Sequence, residues 1–310
     1  MKRVLITGIE GFVGTHLCYY LQELGYQVSG IHYAEPREKI AAEIFCADIC
    51  DFDRVKAVLE QCRPEWIFHL AGVSSVAEAE KNPIPAYQVN TIGTLKLLLA
   101  VHQLMLPCRI LLVSSADVYG RGEKPHTEND PPNPLTVYAR SKLLSEEMGR
   151  LYYQTWEMDI VIVRPFSHTG PGQAARFVFP KVARHIALVE KGKAEPLLKM
   201  GDLSVRRDYT DVRDIVRAYV LTMENCLSGE TYNITSGNCI RLRDAVDTLL
   251  KLAKVPIEIR SGATEIRPYD IPYLSGSPER FVRQTNWQAG IPLEKTLADL
   301  LEYYRARVQD

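Results

Sequence analysis

Neither sign of charge dominates this chain. Its 37 Lys and Arg are balanced by 38 Asp and Glu, a net charge of −1. That excludes the broad basic field with which proteins hold nucleic acid, and leaves only local Arg clusters to grip a single anion. Long apolar runs are missing as well. None approaches the ~18 residues that cross a bilayer, so no membrane partner is expected. The opening "MKRVLITG" enters a strand-like run at once, without the apolar stretch of a secretory signal. Cysteine is sparse and odd in number: Cys18, Cys46, Cys50, Cys62, Cys108, Cys226 and Cys239. An odd count in a long chain argues against a disulfide framework and for reduced thiols in the cytoplasm. Cys46 and Cys50 lie close together, but no second Cys or His pair accompanies them, so they read as small apolar residues and no metal is expected. There is no internal repeat and no low-complexity tract.

What remains is an ordinary globular composition, 46% hydrophobic and 24% charged. At 310 residues there is room for one large α/β domain or two unequal ones. The first two thirds alternate between strand-like and helix-like segments. Strands are expected at 3–8, 26–32, 66–72, 109–115 and 159–165, and helices at 11–24, 51–62, 90–105 and 135–155. The strands show no polar alternation, which predicts a parallel sheet covered on both faces, the Rossmann-type doubly wound α/β class. After Pro165 the pattern turns irregular, with helices expected at 177–190 and 211–226, short strands near 196–209 and a further strand at 230–237. We expect a nucleotide-binding domain over 1–165 and a smaller α/β substrate-binding region over 166–310, with some later segments returning to the first.

Between the first strand and first helix stand Gly8, Gly11 and Gly14, with Phe12 and Val13 opening the helix. Glycines at a first β–α junction let backbone amides approach a pyrophosphate at a helix N-terminus. An acid at the end of the second strand would select NAD(H) by binding the ribose 2′-hydroxyl. His32 stands there instead, with Arg37 and Lys39 following, which favours NADP(H) and leaves NAD(H) as the second candidate. Asp48 follows the apolar "EIFCA" and could meet the adenine edge or simply open a turn; Ile49 is beside it.

Tyr138 and Lys142 are four residues apart on an expected helix and so share a face. An ammonium near the phenol favours the phenolate and lowers its pKa. Ser115 ends the fourth strand, where open α/β sheets bind ligands, and its hydroxyl can meet the same substrate oxygen. Asp117 follows in "SSADVYG", as a candidate base or only a turn residue.

With these motifs in hand, the chain resembles the extended short-chain dehydrogenase/reductases that act on nucleotide sugars. Gly8/Gly11/Gly14, "HLAG" (69–72), "SSADVYG" (114–120), "YARSK" (138–142), "RPFSHTGPGQ" (164–173) and "RRDYTDVRD" (206–214) occur in that family's order. Within it, the last two stretches and a late "IRP" are most similar to reductases of GDP-4-dehydro-6-deoxy-D-mannose, which form GDP-D-rhamnose. The resemblance implies Tyr138 as general acid, Lys142 as its partner and ribose anchor, and Ser115 as carbonyl polariser. It adds Leu70, Ala71, Gly72, Asn90, Val113 and Arg164 to the cofactor contacts. Similar dehydratases carry Thr at the Ser115 position and Glu at the Asp117 position; here Ala116 offers no acid and Asp117 is one methylene shorter, which favours ketone reduction over dehydration.

For the substrate, Arg207 and Arg267 match positions that grip the diphosphate, a task suited to the planar fork of Arg. Arg206 should point to the opposite face of its strand. Ser74 and Asp117 could contact sugar hydroxyls. Ser167 replaces the Asn usual in the "RPFNH" stretch, and His168 is kept. The expected reaction is NADPH-dependent reduction of a nucleotide-linked 4-keto-6-deoxy-hexose, with GDP as the expected nucleotide. The alternatives are a cofactor-retaining epimerase or 4,6-dehydratase, or a non-catalytic NADP-binding sensor. The apolar helices 90–105 and 138–155 suggest a homodimer through a four-helix contact.

Overall fold

The computed structural model describes residues 1–34, 42–261 and 270–308. Its main sheet draws on β1 (Arg3–Thr7), β2 (Gln27–His32), β3 (Glu43–Cys46), β4 (Trp66–His69), β5 (Arg109–Val113) and β6 (Ile160–Pro165). Three later strands, β7 (Ser167–Thr169), β8 (Leu197–Met200) and β9 (Arg206–Asp211), lie outside it, and β10 (Thr231–Ile234) returns to complete it. The order across the sheet is β10-β6-β5-β4-β1-β2-β3, and every neighbouring pair is parallel. Chain order therefore reverses between β1 and β4, and ligands bind open sheets of this kind outside the strand ends at that reversal.

Apart from the edge strand β3, the strands are buried along most of their length, β4 and β6 without a break, because helices cover both faces. On one face α1 (Phe12–Glu23) packs against α8 (Val212–Asn225), Leu17 and Leu21 joining Ile215 and Tyr219 in one core. On the other lie α2 (Phe52–Cys62), α5 (Thr94–Gln103) and α6 (Val137–Trp156), with Leu59, Leu97 and Tyr152 in the core. Each large apolar side chain so buried stabilises the fold by about 1.5–3 kcal/mol. Short helices α3 (Val76–Lys81) and α4 (Pro83–Ala86) lead into a π-helical segment, Tyr87–Gly93, that runs on into α5.

A third core joins α7 (Val178–Glu190), α9 (Leu242–Lys251) and α11 (Leu293–Arg307), through Phe179, Val246 and Leu300 among others. Beside it β9 pairs antiparallel with β11 (Cys239–Arg241) and parallel with β7 and β13 (Tyr273–Leu274), while β12 (Glu258–Ser261) pairs with β8. α8, β10 and α10 (Glu279–Thr285) contribute Tyr219, Tyr232 and Phe281 to the first core.

The elements largely follow the sequence expectation, and three of the differences have a local cause. The strand expected over 66–72 stops at His69 because the amide of Ala71 donates to Thr7 Oγ1, 3.1 Å, and leaves the ladder. The helix expected at 90 begins as the π segment at Tyr87. The edge strand β3 was not anticipated; it is short and half-exposed, and its register with β2 defines it.

Candidate active site

The glycine loop opens on the switch point. Gly8 has φ +74°, and a Cβ on it would lie 3.0 Å from the backbone of Ala71. A Cβ on Gly14 would stand 2.3 Å from the carbonyl of Gly8, so only glycine lets the loop close this tightly on the helix. Gly11 is the exposed N-cap of α1 and has no side chain to occupy the first amides. Phe12 and Val13 follow, half-buried. A turn that admits no Cβ, opening on uncapped helical amides, fits the pyrophosphate of a dinucleotide.

Beneath the loop a buried polar chain locks β1, β4 and α5 together. The amide of Ala71 donates to Thr7 Oγ1, and that hydroxyl donates to His69 Nδ1 at 2.8 Å. His69 Nε2 donates to Thr94 Oγ1 at 2.9 Å, and Thr94 donates in turn to the carbonyl of Asn90 at 2.6 Å. One hydrogen per hydroxyl fixes the ring as the neutral Nε2–H tautomer. Burial, helped by the charge of Lys142, pushes its pKa down to about 3, so it stays neutral at all working pH. Sequence reading passed over this histidine, since its partners are 62 and 25 residues away.

Asn90 hangs from the π segment and holds the crossover after β4. Its Oδ1 accepts from the amide of Val73 at 2.8 Å, and its Nδ2 donates to the Val73 carbonyl and to Ser141 Oγ. Ser141 donates to the carbonyl of Tyr138, so the π segment sets where α6 begins. Gly72 lies in the same place: a Cβ there would meet Asn90 Oδ1 at 2.9 Å and Lys142 Nζ at 3.8 Å. Leu70 donates its amide to the carbonyl of Thr7. Ile49, 4% exposed, fills the space beside Gly93, and Asp48 is exposed just before it, with Oδ1 accepting from the amide of Cys50. Val113 ends β5, half-buried.

The proposed reacting groups converge at the ends of β5 and α6. Thr136 caps α6 and Ser115 caps the 3-10 turn Ala116–Tyr119. Ser115 Oγ accepts from the amide of Asp117 at 3.2 Å, lies 3.3 Å from Asp117 Oδ2, and also hydrogen-bonds the Tyr138 hydroxyl. Burial, then the Asp117 carboxylate, pushes the Tyr138 phenol above its ordinary range, and the bond from Ser115 offsets only part of this. The sequence expectation of a phenol lowered by Lys142 is therefore corrected: Lys142 is not among the groups that shift it, and desolvation with a nearby anion wins. Lys142 itself is pushed down to about 8 by burial, against the opposing pull of Glu146.

Asp117 is more than a turn residue. Burial raises its pKa, while the charge of Arg207 and the Ser115 bond pull the other way, and its own charge raises the Tyr138 pKa. Arg207, on β9, is half-buried and donates to the carbonyl of Ile271 at 2.5 Å; Arg206 beside it is exposed. His168, on β7, stacks on Phe12 with ring centroids 6.2 Å apart and bonds the Phe166 carbonyl through Nδ1; burial lowers its pKa. Ser167 precedes it, paired with Tyr209 across β7 and β9. Ser74 is exposed after β4. Arg164 is held by Glu146 in a bidentate pair at 2.9 and 2.7 Å and lies over the ring of Tyr119. His32 Nδ1 lies 2.9 Å from Glu10 Oε2, a loop acid that sequence reading did not single out. Arg37, Lys39 and Arg267 lie outside the described residues. No group of three or more His, Cys, Asp or Glu that could hold a metal occurs among the described residues.

Comparison with known proteins agrees with this geometry. A family model described as GDP-mannose 4,6 dehydratase matches residues 5–300. GDP-6-deoxy-D-mannose reductase from Pseudomonas aeruginosa is 31% identical over 312 residues, covering 100% of this chain and 99% of the relative. The structure of RMD from Pseudomonas aeruginosa complexed with NADPH is similar at a TM-score of 0.88 and 31% identity, over 99% of this chain and 100% of that one. UDP-glucose 4-epimerase from Thermus thermophilus, in complex with NAD, has a TM-score of 0.89 at 25% identity, over 99% of this chain and 100% of that one.

Proposed function

The chain belongs to the GDP-mannose 4,6-dehydratase family of extended short-chain dehydrogenases, and from that premise we propose that it reduces a GDP-linked 4-keto-6-deoxy-hexose, forming GDP-D-rhamnose from GDP-4-dehydro-6-deoxy-D-mannose. It is an oxidoreductase-type nucleotide-sugar enzyme, and NADP(H) is its favoured cofactor with NAD(H) the second candidate. When bound, the nicotinamide supplies a hydride to the C4 carbonyl carbon of the sugar. The chain's own residues do the rest. The loop of Gly8, Gly11 and Gly14 holds the pyrophosphate through backbone amides. Ser115 donates a hydrogen bond to the carbonyl oxygen and polarises it. Tyr138 gives that oxygen its proton as negative charge develops. Lys142, four residues on along the same face of α6, anchors the nicotinamide ribose as an ammonium. Arg207, with Arg267, takes the diphosphate, and 166–310 outside the returning segments forms the sugar-nucleotide region, where Ser74, Ser167 and His168 meet the sugar.

One observation carries this reading: Ser115, Asp117 and Tyr138 are brought together at the carboxyl end of β5, with Ser115 Oγ 3.3 Å from Asp117 Oδ2 and burial raising the Tyr138 pKa. A protonated phenol is the form a ketone reductase needs at the start of its cycle. Dehydration needs a longer acid placed to remove a carbon-bound proton, and Asp117 is one methylene shorter, with Oδ2 3.3 Å from Ser115 Oγ. The seven free thiols suit a reducing compartment, which supports a cytoplasmic enzyme.

The test is net redox. Purified protein given GDP-4-dehydro-6-deoxy-D-mannose should consume one NADPH per product formed. Tyr138→Phe should lower turnover by about 10²–10⁴-fold with NADPH binding near normal. Dehydration of GDP-mannose without loss of NADPH would favour the dehydratase reading instead.

A further inference from the structure

Helix α1 does more than open behind the glycine loop. Its first residue, Phe12, and His16, one turn on, share a face. Their rings meet edge to face with centroids 5.6 Å apart. Both also meet the stretch that follows β6. Phe12 stacks on His168, and His16 Nε2 lies 2.8 Å from the carbonyl of Pro171. A carbonyl only accepts, so Nε2 carries the proton and donates. Burial holds the His16 pKa below its ordinary value, so the ring is neutral. Gly172 comes close as well: a Cβ on it would stand 3.9 Å from both His16 Nε2 and Phe12 Cδ2.

The turn that His16 holds is stiff within itself. The amide of Gln173 donates to the Gly170 carbonyl at 3.3 Å, and Gln173 Nε2 donates to the His168 carbonyl at 3.2 Å. Gln173 Oε1 accepts from Thr169 at 2.7 Å, and the Gln173 carbonyl accepts from Tyr304 at 2.6 Å. Residues 168–173 are therefore tied into one piece. β7, which carries Ser167 and His168, is three residues long and pairs with β9. We propose that His16 is a positioning residue: through Pro171 it sets the distance between the glycine loop and the sugar contacts Ser167 and His168, so that the C4 carbonyl meets the nicotinamide in register. This rests on the reaction proposed above. In that reaction the cofactor pyrophosphate is held by backbone amides and the sugar nucleotide's diphosphate by Arg207. Losing the His16 bond leaves both ligands those grips and acts on the alignment between them, where a shift of about 1 Å can cost up to about 10²-fold in rate.

The experiment compares His16→Leu, which keeps bulk without a donor, with His16→Gln, whose amide can still donate to the Pro171 carbonyl. Reduction of GDP-4-dehydro-6-deoxy-D-mannose is followed by loss of NADPH absorbance, and NADPH binding is titrated separately by its fluorescence. In His16→Leu kcat should fall by about tenfold, the worth of one hydrogen bond, with the KM of the sugar nucleotide and the Kd of NADPH within about twofold of wild type. His16→Gln should recover kcat to within about threefold. A role in stability alone would lower the melting temperature and leave kcat per folded molecule unchanged. Should His16→Leu fail to fold, His16→Phe, which keeps the edge contact with Phe12, is read on the same split. The inference is overturned by a kcat within about twofold of wild type in the folded donorless variant, by a loss that Gln does not recover, or by NADPH affinity falling as far as kcat. Wild-type protein that binds NADPH but does not reduce this sugar overturns the proposed reaction, and this inference with it.

Discussion

At the scale of single residues the site is defined by how burial sorts three titratable groups. Tyr138 and Lys142 are neighbours on α6, yet burial moves them in opposite senses: the phenol is pushed up and the ammonium down to about 8. Each shift favours the neutral form, as desolvation must. The consequence for reduction is directional. Tyr138 keeps its proton throughout the working range, so the first group lost on raising the pH is the Lys142 ammonium. The kcat/KM for reduction should therefore be level below neutrality and fall with unit slope as pH rises through about 8. In Lys142→Arg the guanidinium stays charged, and although absolute activity falls, the alkaline limb near pH 8 should vanish. A limb that persists unchanged in that variant would assign it to another group. Asp117 shows how much of this was open to sequence reading. Its place after Ser115 was visible, and so was its short side chain. That the charge of Arg207, ninety residues away, acts on it depends on the fold bringing β9 near, and nothing local in the chain announces that.

At the scale of elements, what the sequence revealed follows from which segments are buried on both faces. β1, β2, β4, β5 and β6 show no polar alternation because helices cover both sides of them. β3 escaped notice because it is four half-exposed residues at an edge. The π segment escaped because a one-residue shift in helical bonding leaves no mark on composition, though it positions Asn90 and through Ser141 the start of α6. The glycine loop was plain from its spacing. The approach of Glu10 to His32 at 2.9 Å was not, since it needs β2 folded alongside. The join between α6 and β6 is the buried pair of Glu146 and Arg164, whose side chains are 1% and 3% exposed. Burial works to raise the Glu146 pKa, but the Arg164 hydrogen bonds and charge outweigh it and hold the carboxyl below its ordinary value. Glu146→Gln leaves the Arg164 guanidinium in the interior without its counter-charge, a loss that typically costs about 3–5 kcal/mol. Urea unfolding should show that decrease. Arg164→Met should cost less, because Glu146 keeps its contact with Arg150 at 2.6 Å. Equal losses in the two variants would mean that packing, not charge, governs this join.

At the scale of the whole molecule, the chain leaves apolar surface where the sheet no longer needs it. α6 packs beside the π segment and α5, and on these neighbouring elements Ile92, Leu144, Leu151 and Trp156 are each more than 40% exposed. Trp156 lies against the rings of His102 and Tyr152, which fixes its orientation at the end of α6. Single exposed apolar residues are common and need no explanation; several on adjoining helices mark an interaction surface. Two helices from each of two copies, meeting about a two-fold axis, would bury this strip as a four-helix contact, and a self-complementary patch is the geometry that a two-fold axis requires. The homodimer expected from the apolar helices therefore has a definite candidate face. Analytical ultracentrifugation at micromolar concentration should show about twice the chain mass of 35.1 kDa. Leu144 and Leu151 are seven residues apart on α6 and so lie on one side of it. Replacing both by Glu should give a monomer with unchanged far-ultraviolet circular dichroism, because neither residue belongs to the core of its own subunit. A wild-type monomer at that concentration, or a double variant that stays dimeric, would place the subunit contact elsewhere or remove it.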